Sequence, residues 1–141
     1  MYKIKSLVVL LALIFCQAST LQAQKSKSEV RSIYMFGFSA SFSDSLIYIT
    51  DIQKVDSVRF QDKSGLLMNR TSYSNQLQFY LEREMNRPKT TCVTFCNEDL
   101  KKLQKERNEI WNKYSKDRSV IVKTLTKEQF EFEPENYDAN Q

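Results

Sequence analysis

The stretch between Thr90 and Ser115 most constrains the fold of this chain. Its first seven residues are β-branched, aromatic or small and carry no charge, a composition typical of a strand buried on both faces. Asn97 follows where its side chain can cap a helix, and the two acids after it favour the positive end of a helix dipole. A second apolar run, 119–125, then predicts a strand that pairs in parallel with the first.

Alternation of side chains predicts an earlier strand, from Ile33 to Phe42. Leu46–Thr50 follows a turn rich in serine and aspartate and predicts the returning arm of an antiparallel hairpin. Residues 52–60 fit either a helix or a short strand, because apolar residues first recur at helical spacing and then alternate.

Further helix and strand signals follow. Ser72 or Ser74 can cap a helix that ends before Pro88. Thr126–Gln129 matches a capping box, which predicts a single helical turn. Phe130–Phe132 then alternates as a short strand.

Taken in order, these elements predict one α+β domain over residues 32–133. The expected architecture is a two-layer, mixed four-stranded sheet in the order β-β-α-β-α-β, with two helices packed against it. Helices on one face would leave the other face to solvent, to residues 51–71 or to a partner.

The first 23 residues have the three parts of a secretory signal peptide. Lys3 and Lys5 precede an apolar run of about ten residues, and Ala23 stands at the candidate cleavage site. The run is shorter than the roughly 20 residues that span a bilayer, so we expect no stable membrane span after cleavage. The expected product is exported, periplasmic or secreted, with a flexible lead-in at 24–31 and a disordered acidic tail at 134–141.

Cleavage of this signal peptide would leave a small and nearly neutral protein. The remaining 118 residues are enough for one modest domain, and the net charge would fall from +4 to +2. Such a charge is far from the basic footprint of a nucleic-acid-binding domain, so no nucleic-acid partner is expected.

The composition excludes several classes of catalytic and cofactor site. The chain has no histidine, which excludes Ser-His-Asp and Cys-His catalysis, and two glycines, which are too few for a glycine-rich phosphate loop. Cys92 and Cys96 in one strand would lie about 13 Å apart, beyond the limit of about 7 Å for a disulfide. We therefore expect two free thiols, no metal site and no cofactor.

Paired carboxylates remain open to a chain of this composition. Asp44 and Asp51 bracket the second strand of the hairpin, so a small cell-envelope hydrolase is the alternative function. Acids at strand ends are also ordinary turn residues.

An aromatic face on the first strand is the candidate binding surface. Tyr34, Phe36, Phe38 and Phe42 fall on one side of the alternation. These side chains form either the core beneath the helices or an exposed platform for an envelope protein or a second copy of the chain. The sequence therefore favours a non-catalytic binding or protein-interaction module over an enzyme.

Three segments, Tyr34–Phe42, Thr50–Gln53 and Tyr73–Leu77, resemble a family of small exported proteins from Bacteroidetes-type bacteria. The resemblance covers most of the chain after residue 23. It implies export and a single domain, and it assigns neither an activity nor a catalytic residue.

Overall fold

The computed structural model describes residues 28–61 and 64–135. They form two helices and a mixed five-stranded sheet, which confirms the predicted α+β class and corrects the predicted four strands. The predicted signal peptide, residues 1–23, lies outside the described residues. In chain order the elements are β1 (Ser28–Ser41), β2 (Leu46–Thr50), β3 (Gln53–Gln61), α1 (Arg70–Arg83), β4 (Thr90–Asn97), α2 (Leu100–Ser115) and β5 (Ile121–Leu125).

β1 is the central strand of the sheet. Its residues Tyr34–Ser41 pair with β4, and Ser28–Met35 pair with β3. β2 pairs with Phe38 and Ser39, and β4 pairs with the same two residues from the other side of β1. β2 and β3 therefore lie end to end along the edge of β1 opposite β4. These three partners are antiparallel to β1, and β5 adds to β2 in parallel.

β4 is an edge strand and not the central strand that its composition predicted. β4 and β5 run in the same direction, but β1 and β2 lie between them, so the predicted direct pairing is wrong. Its predicted burial on both faces is also only partial, because Thr90 and Thr94 are buried on the α1 face whereas Val93 on the α2 face is exposed. Cover by helices is independent of the neighbours that a strand has along the hydrogen-bonding direction. That distinction is invisible in the side-chain pattern.

The two helices lie on opposite faces of the sheet and make three layers instead of the predicted two. On one face Ile33 and Met35 of β1 share a core with Leu77 of α1. On the other face Phe36 of β1 shares a core with Leu103 of α2. Successive strand residues point to opposite faces, and β1 is apolar at both sets of positions, so each face needs cover.

The returning arm of the hairpin is divided into β2 and β3 by Asp51 and Ile52. At the break, the Gly37 N–H donates to the Thr50 hydroxyl at 2.9 Å in place of a backbone carbonyl. The side-chain bond satisfies a buried donor that the interrupted ladder leaves without its usual acceptor.

β3 contains a bulge that explains why its sequence also fits a helix. Ser57, with φ 60°, lies where the register of β3 against β1 shifts. The extra residue brings both Val55 and Val58 into the core on the α1 face, although three positions separate them. The spacing of Val55 and Val58 is therefore helical although both lie in a strand, whereas Ile52 precedes β3 and packs on the α2 face.

Phe130–Phe132, predicted as a strand, lies outside the sheet. The Gln53 side-chain amide donates to the Phe130 carbonyl at 2.7 Å and accepts from the Phe132 N–H at 2.8 Å. These two bonds replace those of a neighbouring strand, and both phenylalanines are buried in the core on the α1 face. The predicted turn at Thr126–Gln129 forms, with the Gln129 amide oxygen accepting from the Thr126 N–H at 3.0 Å.

Both helices begin at residues other than the predicted caps. α1 begins at Arg70, earlier than Ser72 or Ser74 would place it. α2 is capped by Asp99, whose carboxylate accepts from the second and third helical N–H groups. Asn97, the predicted cap, instead accepts from the Asp99 N–H.

Two predicted flexible segments are partly built into the domain. Ser28–Arg31, expected in the lead-in, pair with β3 as the start of β1. Glu135, expected in the tail, accepts hydrogen bonds from Ser72 and Gln76 of α1. The remainder of both segments, 24–27 and 136–141, lies outside the described residues. Within 28–61 and 64–135, no helix is long and apolar enough to cross a bilayer.

Candidate functional site

The four aromatic residues predicted for binding occupy different environments. Phe36 is fully buried and stacks on Phe95 of β4, with ring centroids 4.9 Å apart. Tyr34 and Phe38 are half-buried on the same α2 face. Phe42 lies beyond the end of β1, in the turn to β2, and is fully exposed. The structure brings the first three together beneath α2 and leaves Phe42 apart from them.

A shallow apolar groove lies between α2 and the β1–β4 pair, and we call it the β4–α2 groove. Phe38 and Phe95 contribute from the sheet, and the groove has a volume of about 370 Å³. Ile110 and Tyr114 contribute from α2, and the rings of Tyr114 and Phe38 are 5.2 Å apart. Charged side chains of α2 also line it: Glu106, Glu109 and Lys113.

The groove exists because α2 covers its face of the sheet incompletely. All 16 residues of α2 are described, and Leu103 is the one that is fully buried. Ile110, Trp111 and Tyr114 are only half-buried against the sheet. On the β4 side of α2, Val93 remains 40 % exposed. Apolar surface is therefore accessible next to an edge strand.

The outer edge of β4 presents backbone groups that do not pair with β1. Gly37 directs its N–H away from β4, to Thr50, and Gly37 lies opposite Thr94 in the register. Residues opposite each other in an antiparallel pair point their backbone groups either toward each other or away from each other. The backbone N–H and C=O groups of Thr94 therefore point away from β1, and so do those of the alternate residues Cys92 and Cys96.

Arg70 of α1 occupies the middle of this edge. Its Nε and Nη2 groups donate to the Thr94 carbonyl at 3.1 and 2.8 Å. Among the residues that the structure describes, no carboxylate lies within ion-pair distance of this guanidinium. Arg70 is therefore a cation that rests on a neutral acceptor at the edge of a sheet.

The rest of the edge lacks the usual protection against strand pairing. Exposed edges are commonly protected by lysine, proline or inward-pointing charges. β4 contains none of these in its eight residues, Thr-Thr-Cys-Val-Thr-Phe-Cys-Asn. The Arg70 guanidinium is thus the one charged group hydrogen-bonded to the described edge.

Cys92 and Cys96 lie on the α1 face of β4 as half-buried free thiols. Burial is the largest influence on each, and it raises the pKa of both thiols. A raised pKa keeps a thiol protonated near neutral pH, so that little of the nucleophilic thiolate is present. The arrangement does not activate either thiol for covalent chemistry.

The two acids considered for hydrolysis lie at opposite ends of β2. Asp44 pairs with Arg87, and Asp51 faces Arg107 with 3.7 Å between Oδ1 and Nη2. The structure does not bring them together as a catalytic pair. Across residues 28–61 and 64–135, no group of three or more His, Cys, Asp or Glu side chains could hold a metal ion.

Comparison with protein-family models, curated proteins and solved structures finds no match to this chain. The candidate site therefore rests on geometry alone. Sequence reasoning missed Arg70 and Thr94, because their contact depends on β4 being an edge strand. The one available signal is an arginine in the first turn of a helix, where acids are favoured over cations.

Proposed function

We propose that this chain is an exported, non-catalytic protein-interaction module that binds an extended segment of an envelope protein as an added strand on β4. The observation that carries this proposal is the outer edge of β4. It is eight residues long and uncharged, it points backbone groups outward, and it borders an apolar groove.

An added strand would use both the outward-pointing backbone groups of β4 and the apolar groove beside it. Main-chain hydrogen bonds to a sheet edge supply affinity, while pockets for alternate side chains supply specificity. An added strand would direct every second side chain toward the β4–α2 groove, where Phe38 and Phe95 are accessible. Tyr34 and Phe36, two of the residues predicted for binding, would support this surface from beneath α2 without contacting the ligand.

The export part of the proposal rests on the N-terminal sequence pattern. It is tested by expressing the full chain in a Gram-negative host and measuring the mass of the product in the periplasmic fraction. Removal of residues 1–23 supports export. An intact precursor confined to the cytosol contradicts it.

Selection from a phage library of random eight-residue peptides, as long as β4, tests the binding site. We expect enriched peptides with apolar residues at alternate positions. Val93→Lys places a charge on the β4 edge and should weaken their binding about tenfold, equivalent to about 1.4 kcal/mol.

Ile121→Lys is the matched control, because Ile121 is another exposed β-branched residue on a different edge strand, β5. Val93 is 40 % exposed and Ile121 is 56 % exposed. Binding by the control should equal that of the unmodified protein. Absence of enriched peptides, or equal weakening by both substitutions, would contradict the proposed function.

A further inference from the structure

We infer that the segment bound by β4 carries a carboxylate that pairs with Arg70 and frees the Thr94 carbonyl for the incoming strand. The inference rests on the proposed function and specifies the chemistry of the partner at the same edge. The ligand class is an extended peptide in which an acidic residue is flanked by apolar residues.

The Arg70 guanidinium can donate more hydrogen bonds than the two that it makes within the described part of the chain. A guanidinium carries five N–H donors in a planar fork. Arg70 directs Nε and Nη2 to the Thr94 carbonyl, an uncharged acceptor. A carboxylate can accept two parallel bonds from the same fork, and such charge-assisted bonds are roughly twice as strong as neutral ones.

Within the part of the chain that the structure describes, Arg70 lacks the carboxylate partner that Arg31, Arg87 and Arg107 have. Among the described residues, no acidic side chain pairs with it, although Glu98 lines the same cavity of about 730 Å³. The Glu98 carboxylate instead forms an ion pair with Arg31. The ion pairs that compensate other arginines are Arg31 with Glu29 and Glu98, Arg87 with Asp44, and Arg107 with Asp51.

An incoming strand and Arg70 compete for one acceptor. The Thr94 carbonyl points outward at the middle of β4, where an added strand needs it for the hydrogen-bond ladder. A neutral peptide would displace the guanidinium without replacing its bonds. An acidic peptide replaces them with a stronger pair, so the exchange favours acidic ligands.

The fold determines which peptide positions should be acidic and which apolar. Arg70 belongs to α1 and reaches β4 from the α1 face, whereas the β4–α2 groove lies on the opposite face. Successive residues of a strand point to opposite faces. The carboxylate should therefore point toward α1, and its immediate neighbours should point toward Phe38 and Phe95.

A second copy of the chain does not supply this chemistry through its own β4. Thr90–Asn97 contains no acidic residue, so a β4–β4 pair would leave both Arg70 side chains without counter-charge. The charge at this edge therefore favours a partner with an acidic segment over self-association through β4.

The test compares peptide selection on the unmodified protein, Arg70→Met and Arg83→Met. Arg70→Met removes the charge and frees the Thr94 carbonyl while keeping an unbranched side chain. Arg83→Met is the matched control on the same helix, because Arg83 is exposed, stacks on Phe79 at 4.6 Å and has no hydrogen bond to β4 among the described residues. Thermal unfolding of each variant establishes that it is folded.

Peptides selected on the unmodified protein and on Arg83→Met should share one acidic position flanked by apolar residues. Changing that Glu to Gln in a synthetic peptide should weaken binding to both proteins about tenfold, or about 1.4 kcal/mol. On Arg70→Met the same change should have no effect, and the Gln peptide should bind at least as tightly as it binds the unmodified protein.

Two results would overturn the inference while leaving the proposed function intact. One is a set of peptides that alternate in apolarity and are sensitive to Val93→Lys but show no acidic position. The other is an effect of Glu-to-Gln substitution that persists on Arg70→Met. A selection that yields no alternating peptide contradicts the proposed function itself, and the inference falls with it.

Discussion

A Cβ atom added to Gly37 would lie 2.5 Å from Cδ2 of Leu77. The central strand thus allows α1 to approach at a point where any other residue would collide with a fully buried side chain. The absence of a side chain at Gly37 therefore leaves the space that the Leu77 side chain occupies against the central strand.

Gly37→Ala should lower the free energy of unfolding by about 1–3 kcal/mol, because overpacking a rigid core displaces side chains and backbone. Urea denaturation measures the change. In a Leu77→Val background the colliding methyl group is absent, so the same substitution should cost less. An equal cost in both backgrounds would contradict the close-packing explanation.

Gln53→Ala should destabilise the domain by about 2–6 kcal/mol, since it leaves two buried polar groups unsatisfied and each costs about 1–3 kcal/mol. The substitution removes the side-chain amide and leaves the Phe130 carbonyl and the Phe132 N–H without their hydrogen-bond partner. Gln104→Ala on the exposed face of α2 is the control, with an expected change near zero. Equal midpoints in urea for both variants would show that the amide bridge contributes nothing.

Amide hydrogen exchange in β4 should alternate along the strand. The N–H groups of Val93 and Phe95 point toward β1, whereas those of Cys92, Thr94 and Cys96 point to the open edge. NMR-detected exchange in the free protein should be faster at the second set, the amides of Cys92, Thr94 and Cys96. Uniform protection across all five amides would indicate that the edge is already covered, and a bound peptide should slow exchange at the second set alone.

The free energy of unfolding should fall as the pH rises above about 8.5, the ordinary pKa of a free thiol. Burial raises the pKa of Cys92 and Cys96 in the folded state. The unfolded chain therefore loses these protons first, and stability present below the unfolded pKa is lost as the pH passes through the folded pKa.

The measurement is urea unfolding under reducing conditions from pH 7 to pH 10. The double variant Cys92→Ala, Cys96→Ala should show a shallower decline than the unmodified protein, because it lacks both titrating thiols. Parallel declines would contradict the pKa shifts.

Local patterns identified most elements of this fold. Alternation from Ile33 to Phe42 predicted the core of β1, and the expected capping residue Asn97 with the two acids after it predicted a helix where α2 lies, because both are local signals of the backbone. Alternation did not identify β3 as a strand, because the bulge at Ser57 interrupts it. An extra residue moves Val58 onto the face of Val55, and no local signal announces it.

Phe130–Phe132 failed as a prediction for a different reason. The residues alternate because two aromatic rings are buried. The Gln53 side chain, and not a neighbouring strand, forms hydrogen bonds with the backbone of this segment. Periodicity shows that a side chain is buried. It cannot show whether its backbone hydrogen bonds lie within a sheet.

The sequence by itself determined the α+β class, the two helices and the exclusion of histidine-dependent chemistry, because these depend on composition and on local backbone repeats. Only the tertiary structure decided which strand is central, which faces the helices cover and that Arg70 meets the Thr94 carbonyl. The reason is physical. Side-chain patterns record burial perpendicular to a sheet, whereas strand order and open edges are set by hydrogen bonds within its plane, between backbone groups that every residue type shares.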